Sequence, residues 1–443
     1  MTAEDNRSIA RRLMAGTGTS AVAPSTRAPA PRGPRPTAIQ NLPQVVLSGQ
    51  RDASLAAALT LLRSPNPYYL AHEGVNGPNV EILGRPMVNF ASYNYLGLAG
   101  DPRVRGAASE AIERYGTSAS ASRMIGGELS LHAQLEDRLR DAYQVGGAVV
   151  TGSGFLTNAA AIAFLLGEGD LAVCDALVHN SIVSGTRWAG CRRMSFRHND
   201  PGALDTVLRR SRGHFGTALV ILEGVYSMDG DIAALPELIE VARRHGCFVM
   251  VDEAHSFGVL GERGLGIHEH AGVAGTDVDL WMGTLSKSMA SYGGFLAGNR
   301  ELIAAMKMSA AGVSLFAAAP PPAAMAAAST AFDVMLKEPE RVARLHANQA
   351  DMLAGAQQAG LDTGPTQAGT PLVPVLIGSS ENTMRVSLGL LAEGVHTTAI
   401  IYPAVPEGEG RLRFFLSCEH TSEQIDRTVA ATARLGASAG VLG

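Results

Sequence analysis

The chain has 443 residues, of which 46% are hydrophobic and 17% charged, and its formal net charge is -5. This length allows more than one packed domain, and no apolar run reaches the roughly 20 residues of a transmembrane helix, so a membrane protein is not expected. A mildly acidic chain also lacks the basic surface that binds a phosphate backbone, which argues against a nucleic-acid partner.

The first 45 residues are rich in Ala, Pro, Arg, Ser and Thr, a composition that cannot bury enough apolar surface to fold alone. We therefore predict a disordered tail over residues 1–45. An N-terminal segment is predicted over 46–110, a large domain over 111–330 and a small C-terminal domain over 331–443.

Helical and strand patterns alternate between about residues 110 and 300. A helix from Pro236 to a stop at Gly246 is followed by the apolar run 247–252, which ends in a carboxylate. Helix, glycine, buried strand and polar end are typical of a parallel α/β sheet with helices on both faces. Further strands of the large domain are predicted at 147–151, 218–223 and 279–284, and strands of the small domain near 371–377 and 411–416.

The four cysteines, Cys174, Cys191, Cys247 and Cys418, form no C-x-x-C pair. This pattern predicts neither a metal site nor a disulfide framework, and it favours a cytoplasmic location.

Lysine is rare, because only three of the 36 basic side chains are lysines, at positions 287, 307 and 337. A guanidinium stays protonated and cannot form an imine, so a retained lysine is a candidate for amine chemistry. Lys287 follows a predicted buried strand and has small neighbours, a setting that lowers the pKa of an amine and suits imine formation with an aldehyde cofactor. The alternative is a surface lysine in a loop. Lys307 and Lys337 lie in helical segments, where solvated roles are expected.

Asp252 ends a strand too apolar to leave a carboxylate unpaired. A protonated pyridine nitrogen would serve as its partner, and a helix N-cap or an arginine ion pair would explain it equally well. His255, three residues later, can face the same crevice. The string Asp-Glu-Ala-His also occurs in helicases, but that function needs a Gly-Lys-Ser/Thr phosphate loop, and none of the three lysines follows a glycine.

Two further segments could bind anions. The glycine-flanked stretch 152–158 precedes a helix predicted to begin near Thr157, and backbone N–H groups at such a start favour phosphate. Strand alternation places Arg411 and Arg413 on one face, where they either hold a carboxylate or, by default, form a solvated surface.

Seven segments occur in the order in which they stand in the α-oxoamine synthases, and together the chain resembles that family of fold-type I pyridoxal-phosphate transferases over about residues 88 to 435. They are Asn94-Tyr-Leu-Gly-Leu, Ser153-Gly-Phe-Leu-Thr-Asn158, His179-Asn-Ser, Tyr226-Ser-Met-Asp-Gly230, Val251-Asp-Glu-Ala-His-Ser256, Gly283-Thr-Leu-Ser-Lys287 and Arg411-Leu-Arg413.

The resemblance implies roles for individual residues. Lys287 would be the Schiff-base lysine, Asp252 would pair with the pyridine nitrogen, and His255 would reach the ring hydroxyl. His179 would stack on the ring of pyridoxal 5'-phosphate (PLP), and these four residues would be the catalytic ones. The other cofactor-binding residues would be Ser153, Gly154, Phe155, Ser227 and Thr284, and the amino-acid carboxylate would be held by Asn94 and Arg413.

The resemblance also implies the reaction and the assembly. A homodimer would condense an α-amino acid with an acyl thioester, lose carbon dioxide and give an α-amino ketone for biosynthesis. The alternative is an aminotransferase or aldolase on the same fold, which would share Lys287 and Asp252.

Two departures from the family pattern stand out. The family usually has Ser or Thr after an aromatic residue near 316, contacting the phosphate from the neighbouring subunit, whereas Phe316 here is followed by three alanines. The second departure is Ser288-Met-Ala-Ser-Tyr292 after Lys287, where the better-known members have Ala-Leu/Phe-Gly-Ser. This segment and residues 361–364 resemble synthases attached to polyketide-type assembly lines. The second departure favours an acyl-carrier protein over coenzyme A as the acyl donor.

Overall fold

A computed structural model describes residues 38–62 and 65–440 of the chain. The chain divides into two compact units, Met1–Asn66 and Pro67–Gly443. In the first unit a 3-10 turn at Ile39–Asn41 precedes helix α1, Pro43–Leu62. Most of the predicted tail lies outside the described residues, and α1 begins shortly before the predicted end of that tail.

The second unit contains the remaining described strands and helices. The strands are β1 His72–Glu73, β2 Asn79–Ile82, β3 Arg85–Asn89, β4 Gly147–Thr151, β5 Leu171–Asp175, β6 Arg192–Phe196, β7 Ala218–Glu223, β8 Val225–Tyr226, β9 Asp231–Ile232, β10 Phe248–Asp252, β11 Leu280–Thr284, β12 Gly294–Gly298, β13 Leu372–Gly378, β14 Val395–His396, β15 Thr398–Ile400 and β16 Gly410–Phe415. The helices are α2 Pro102–Tyr115, α3 Ser130–Tyr143, α4 Gly154–Leu165, α5 Asn180–Ala189, α6 Pro201–Ser211, α7 Leu235–Arg244, α8 Ile267–Ala271, α9 Arg300–Ser309, α10 Pro322–Lys337, α11 Glu340–Gln358, α12 Ser380–Ala392 and α13 Ser422–Ser438.

A mixed seven-stranded sheet forms the centre of this unit, in the order β4-β12-β11-β10-β7-β5-β6. β12 runs antiparallel to both of its neighbours, and the other pairs are parallel. The strands β5, β7 and β11 are buried along their whole length, as expected for a sheet covered by helices on both faces. The predicted mostly parallel α/β sheet is therefore confirmed.

A smaller antiparallel sheet, in the order β13-β16-β15, contains the two strands predicted near 371–377 and 411–416. Near it, β14 pairs in parallel with β3, so that Val395 lies opposite Val88. A strand from the beginning of the unit and a strand from near its end are thus neighbours in one sheet. The predicted boundary near residue 330 falls inside α10, and the division into large and small domains stays a prediction.

The start of α4 differs from the sequence expectation. The helix begins at Gly154, whereas the prediction placed its start near Thr157. The reason is that Ser153 caps the helix, its side chain accepting a hydrogen bond from the Leu156 N–H. α4 therefore begins immediately after the turn that follows β4.

The carboxyl ends of β4, β7, β10 and β11 meet at the same edge of the large sheet, because β4 is antiparallel to β12, which is itself antiparallel to β11. In open α/β sheets ligands bind at this edge. Within residues 38–62 and 65–440, no helix combines the length and apolarity needed to cross a membrane.

Candidate active site

A cavity of about 230 Å³ lies at this edge of the large sheet. Its wall contains all nine residues that the sequence assigned to a cofactor pocket. They are Ser153, Gly154, Phe155, His179, Ser227, Asp252, His255, Thr284 and Lys287. The strand and helix ends therefore bring together side chains that are far apart in the sequence, since Ser153 and Lys287 are separated by 134 positions.

Lys287 follows the end of β11 and is half-buried in the wall of the cavity. Its Nζ atom lies 5.5 Å from the centroid of the Tyr93 ring. Burial lowers the pKa of Lys287 to about 8, although the carboxylates of Asp252 and Glu223 act in the opposite direction. A pKa near 8 leaves roughly a tenth of this amine uncharged at pH 7. An amine must be uncharged when it forms an imine, so this setting suits the chemistry predicted for Lys287.

The other two lysines are placed differently. Lys307 forms ion pairs with Glu128 and Glu136 at 3.2 and 3.4 Å. Lys337 is exposed at the end of α10. Neither lines the cavity.

Asp252 ends β10 and is 3% exposed. Its Oδ2 atom accepts a hydrogen bond from Asn158 Nδ2 at 2.7 Å, and its Oδ1 atom accepts one from the Ala254 N–H at 2.8 Å. Within the described part of the chain, no lysine, arginine or histidine nitrogen lies within 4.0 Å of this carboxylate. Of the alternatives considered from sequence, the arginine ion pair is absent here. The carboxylate faces a cavity in which a cationic ring nitrogen would complete its partners.

A chain of hydrogen bonds connects Asp252 to His179. Asn158 Nδ2 also donates to Ser181 Oγ at 2.9 Å, and Ser181 Oγ lies 2.7 Å from His179 Nδ1. His179 is the N-cap residue of α5 and accepts a hydrogen bond from the Ser181 N–H. Sequence reasoning assigned no role to Asn158 or Ser181, although a buried asparagine among the apolar residues of α4 is a signal that it has a polar partner.

Glu223 is a second buried carboxylate in the cavity wall that sequence reasoning missed. It ends β7, accepts a hydrogen bond from the His179 N–H and is the in-register neighbour of Asp252. Burial, together with the negative charge of Asp252, raises the pKa of Glu223 well above its ordinary value. The signal that identified Asp252, an apolar strand ending in a carboxylate, was present here too.

His255 forms a hydrogen bond of 2.9 Å between its Nδ1 atom and the hydroxyl of Tyr95. Burial lowers the pKa of His255 well below its ordinary value, and the positive charges of Lys287 and Arg413 act in the same direction. The imidazole is therefore neutral at physiological pH. Tyr95 is fully buried and was not singled out from sequence, although it lies inside one of the seven motifs.

The start of α4 approaches the end of β11 closely. A Cβ atom at Gly154 would lie 3.0 Å from Thr284 Oγ1, so a larger residue would push against this wall. Thr284 Oγ1 is within 2.8 Å of Ser286 Oγ and donates to the Gly293 carbonyl at 3.0 Å. Phe155 packs edge-on against His179, with ring centroids 6.2 Å apart. Hydroxyls and first-turn N–H groups thus line one end of the cavity, which suits a phosphate.

Arg413 lies beside the cavity without being part of its wall. Its Nη1 atom donates to the Ser227 carbonyl at 3.0 Å, and its guanidinium lies 5.1 Å from the centroid of the Phe415 ring. Arg411 is 6% exposed and forms an ion pair with Asp229. The default expectation of a solvated arginine face was therefore wrong, because the turn between β8 and β9 covers both side chains.

Asn94 is not part of the cavity wall. It is buried, and its side-chain oxygen accepts a hydrogen bond from the Ala99 N–H at 3.2 Å. The structure therefore does not bring this predicted substrate contact to the cavity. Its neighbour Tyr93 is the residue of this loop that approaches Lys287.

His198, Asp229 and Asp231 are close enough to share a metal ion. Both ring nitrogens of His198 are already paired, with Asp175 at 2.8 Å and with Asp231 at 2.9 Å. Asp229 is neutralised by Arg411. This cluster is better explained as a set of ion pairs than as a metal centre.

Comparisons with known proteins agree on one family. The family model described as aminotransferase class I and II matches residues 85–431. The 8-amino-7-oxononanoate synthase of Symbiobacterium thermophilum is 40% identical over 396 residues, covering 89% of this chain and 97% of that protein. The same enzyme of Geobacter sulfurreducens is 40% identical over 394 residues, covering 88% and 99%.

Solved structures give the same answer. Serine palmitoyltransferase of Sphingomonas wittichii matches with a TM-score of 0.84 at 32% identity, covering 90% of this chain and 98% of that one. A structure of serine palmitoyltransferase with PLP matches with a TM-score of 0.83 at 34% identity, covering 89% and 100%. These likenesses extend over nearly the whole second unit.

Proposed function

Because this chain belongs to the aminotransferase class I and II family and, within it, to the α-oxoamine synthases, we propose specific roles for its residues in the reaction of that family. It is a PLP-dependent acyltransferase of fold-type I that condenses an α-amino acid with an acyl thioester and releases carbon dioxide, giving an α-amino ketone. This result sets aside the aminotransferase and aldolase alternatives. The observation that carries the assignment of residues is the cavity that holds Lys287 and Asp252 together.

The residues present fit PLP by three criteria. Asp252 has no cationic partner within the described residues, Lys287 supplies an amine with a pKa of about 8, and Gly154 allows α4 to begin against Thr284. PLP bound there supplies an aldehyde for the amine and a protonated ring that withdraws electrons from the Cα atom of the amino acid. We assign the phosphate end to Ser153, Gly154, Phe155, Ser227 and Thr284.

Asp252 acts by holding a proton on the ring nitrogen of the cofactor. A carboxylate in so buried a place strongly favours a proton on a nitrogen opposite it. Asn158 fixes the direction of this carboxylate through a hydrogen bond of 2.7 Å. Through Ser181 the same asparagine orients His179, whose ring is assigned to the face of the cofactor.

Lys287 is the base of the reaction. Its Nζ atom removes the Cα proton of the bound amino acid and then holds that proton close to the reacting carbon. The lowered pKa lets the amine be uncharged before the transfer. The Tyr93 ring lies 5.5 Å from Nζ, at a distance that favours a cation–π contact with the protonated amine.

Arg413 is assigned to the carboxylate of the amino acid, the group that leaves as carbon dioxide. A guanidinium can hold a carboxylate with two parallel hydrogen bonds, and the Nε atom of Arg413 is buried without a hydrogen-bond partner in the described residues. Asn94 is proposed as a second contact on the strength of its motif. In that role its Nδ2 atom would donate to the substrate carboxylate instead of to the Asn76 carbonyl, from which it lies 3.4 Å away.

We propose that the protein forms a homodimer. Large apolar side chains are exposed in two segments that are joined by a hydrogen bond from the Ala319 N–H to the Ala121 carbonyl. Phe316 is 86% exposed, Ile125 is 80% exposed and Met308 is 62% exposed. Large apolar side chains exposed in this way are typical of subunit interfaces.

The acyl donor and the location are also proposals. We propose an acyl-carrier protein as the carrier of the acyl group, on the likeness of residues 288–292 and 361–364 to assembly-line synthases. A cytoplasmic location is proposed from the unpaired cysteines. Comparable turnover with coenzyme A and carrier-protein thioesters would contradict the carrier proposal.

The reaction is tested by carbon dioxide release from 1-¹⁴C-labelled amino acids, screened with and without an acyl thioester. We expect release that requires both substrates. Release from an amino acid alone, or transfer of its amino group to a keto acid without release, would contradict the proposed function.

A further inference from the structure

Tyr95 and His255 form an isolated hydrogen-bonded pair between the loop after β3 and the loop after β10. The Tyr95 hydroxyl lies 2.9 Å from His255 Nδ1, and both side chains are buried. His255 is part of the cavity wall, whereas Tyr95 is not. Tyr95 therefore contacts the cavity only through the histidine.

The direction of this hydrogen bond follows from the partners available. Within the described residues, His255 Nδ1 is the only hydrogen-bond partner of the Tyr95 hydroxyl. If the hydroxyl accepted a hydrogen bond from an Nδ1–H group, its own hydrogen would be buried without an acceptor, which costs free energy. If the hydroxyl donates, both groups are satisfied. The donating arrangement is therefore the stable one.

The charge state of the two groups agrees with this direction. Burial raises the pKa of Tyr95 well above its ordinary value, so the hydroxyl keeps its hydrogen. The charged or titratable groups that face His255 are Lys287, Arg413 and His179, and their positive charges add to burial in lowering the pKa of His255. A neutral imidazole carries one ring hydrogen, which the hydroxyl of Tyr95 excludes from Nδ1.

We propose that Tyr95 is a positioning residue that fixes His255 in the tautomer with its hydrogen on Nε2. Within the described residues Nε2 has no hydrogen-bond partner, so this N–H is available as a donor to the cavity. The inference rests on the proposed function, because it gives the donor a use toward the ring oxygen of PLP. In the other tautomer, Nε2 would present a lone pair to that oxygen and repel it.

The tautomer can be observed directly by NMR. Protein labelled with ¹⁵N at histidine gives long-range ¹H–¹⁵N correlations that distinguish the protonated from the unprotonated ring nitrogen, and a His255→Asn sample identifies the signals. We expect Nε2–H in both the PLP-free and PLP-bound protein. A hydrogen on Nδ1 would overturn the proposal, whatever the activity of the enzyme.

The consequence for cofactor binding is tested with Tyr95→Phe. We expect this variant to weaken PLP binding about tenfold and to shift the pH at which the visible absorbance of the bound cofactor changes. In a His255→Ala background the same substitution should cause no further loss, since it acts through the histidine. Equal losses in both backgrounds would mean that Tyr95 acts by packing alone.

Tyr143→Phe is the matched control. Tyr143 is also fully buried and packs among aromatic rings, and its hydroxyl has no hydrogen-bond partner in the described residues. Its removal should leave PLP binding and the absorbance profile unchanged. These readouts need no acyl thioester, so they are separate from the carbon dioxide assay that tests the function.

Discussion

Asp252 and Glu223 are in-register neighbours at the ends of the parallel strands β10 and β7. Asp252 accepts hydrogen bonds from Asn158 and Ala254, whereas Glu223 accepts one from the backbone of His179. Burial, together with the charge of Asp252, raises the pKa of Glu223 well above its ordinary value. The two neighbouring strand ends thus have different hydrogen-bond partners, although both carboxyl groups line the cavity.

This asymmetry predicts different costs for two similar substitutions. Asp252→Asn should lower kcat/KM at least about 100-fold, because it removes the charge that holds a proton on the cofactor ring. Glu223→Gln should cost no more than about threefold, because glutamine is neutral and can still accept from the His179 N–H. Carbon dioxide release and PLP binding measure both. Equal losses would show that the pyridine partner has been misassigned.

Lys287→Ala is predicted to abolish turnover and the visible absorbance of the bound cofactor. Without an amine at this position no covalent link to the aldehyde can form. Lys337→Ala, at an exposed end of α10, serves as the control and should retain both properties. Borohydride reduction followed by peptide mass spectrometry should find the modified lysine at position 287. Persisting colour that responds to amino acids in Lys287→Ala would contradict the assignment.

The pKa of Lys287 predicts how the PLP-free protein recaptures its cofactor. Only the uncharged amine reacts, so the recapture rate should rise about tenfold per pH unit and flatten above pH 8, where the lowered pKa of about 8 has been passed. Since the charge of Asp252 raises the pKa of Lys287, Asp252→Asn should move the bend to lower pH. A bend near the ordinary lysine value of 10.5 would contradict the structure.

His198 predicts a pH dependence of stability. Its two aspartate partners raise its pKa from 6.5 to about 10, against the effect of burial. The folded state thus binds a proton more tightly than the unfolded state does. The stabilisation is complete below pH 6.5 and is lost as the pH rises through 10. Between these values it falls by at most about 1.4 kcal/mol per pH unit.

His198→Gln isolates this contribution from other groups that titrate in the same range. The difference between the unfolding free energies of the native chain and of His198→Gln, measured in urea from pH 6 to 10, should shrink as the pH rises. A difference that stayed constant would mean that the histidine is neutral in the folded protein.

The proposed dimer is tested by placing a charge on the exposed apolar surface. Ile125→Arg should shift the protein toward the monomer in sedimentation velocity, because an unpaired charge would be buried at the interface. Leu83, 57% exposed in the turn between β2 and β3, offers a control, and Leu83→Arg should leave the assembly unchanged. A native chain that sediments as a monomer would refute the dimer.

Local sequence patterns predicted much of the fold and the core of the site. The apolar strands β7 and β10 end at Glu223 and Asp252, where the sequence predicted their ends. The helix predicted from Pro236 occurs as α7. Lysine scarcity selected Lys287, and seven ordered motifs identified the family. These features are local, or they depend only on residue order, so a single sequence contains them.

Relations between distant segments required the tertiary structure. Strand alternation gave the common face of Arg411 and Arg413 but not the turn that covers it. The hydrogen bond that links Asn158 to Asp252, 94 positions along the chain, depends on where α4 packs on the large sheet. The link between Tyr95 and His255, 160 positions apart, likewise joins two loops whose sequences contain no mark of each other. The sequence determined which residue types were available, because periodicity and motifs are properties of neighbouring residues. Packing alone decided which of them touch, since a hydrogen bond depends on distances of a few ångströms in space.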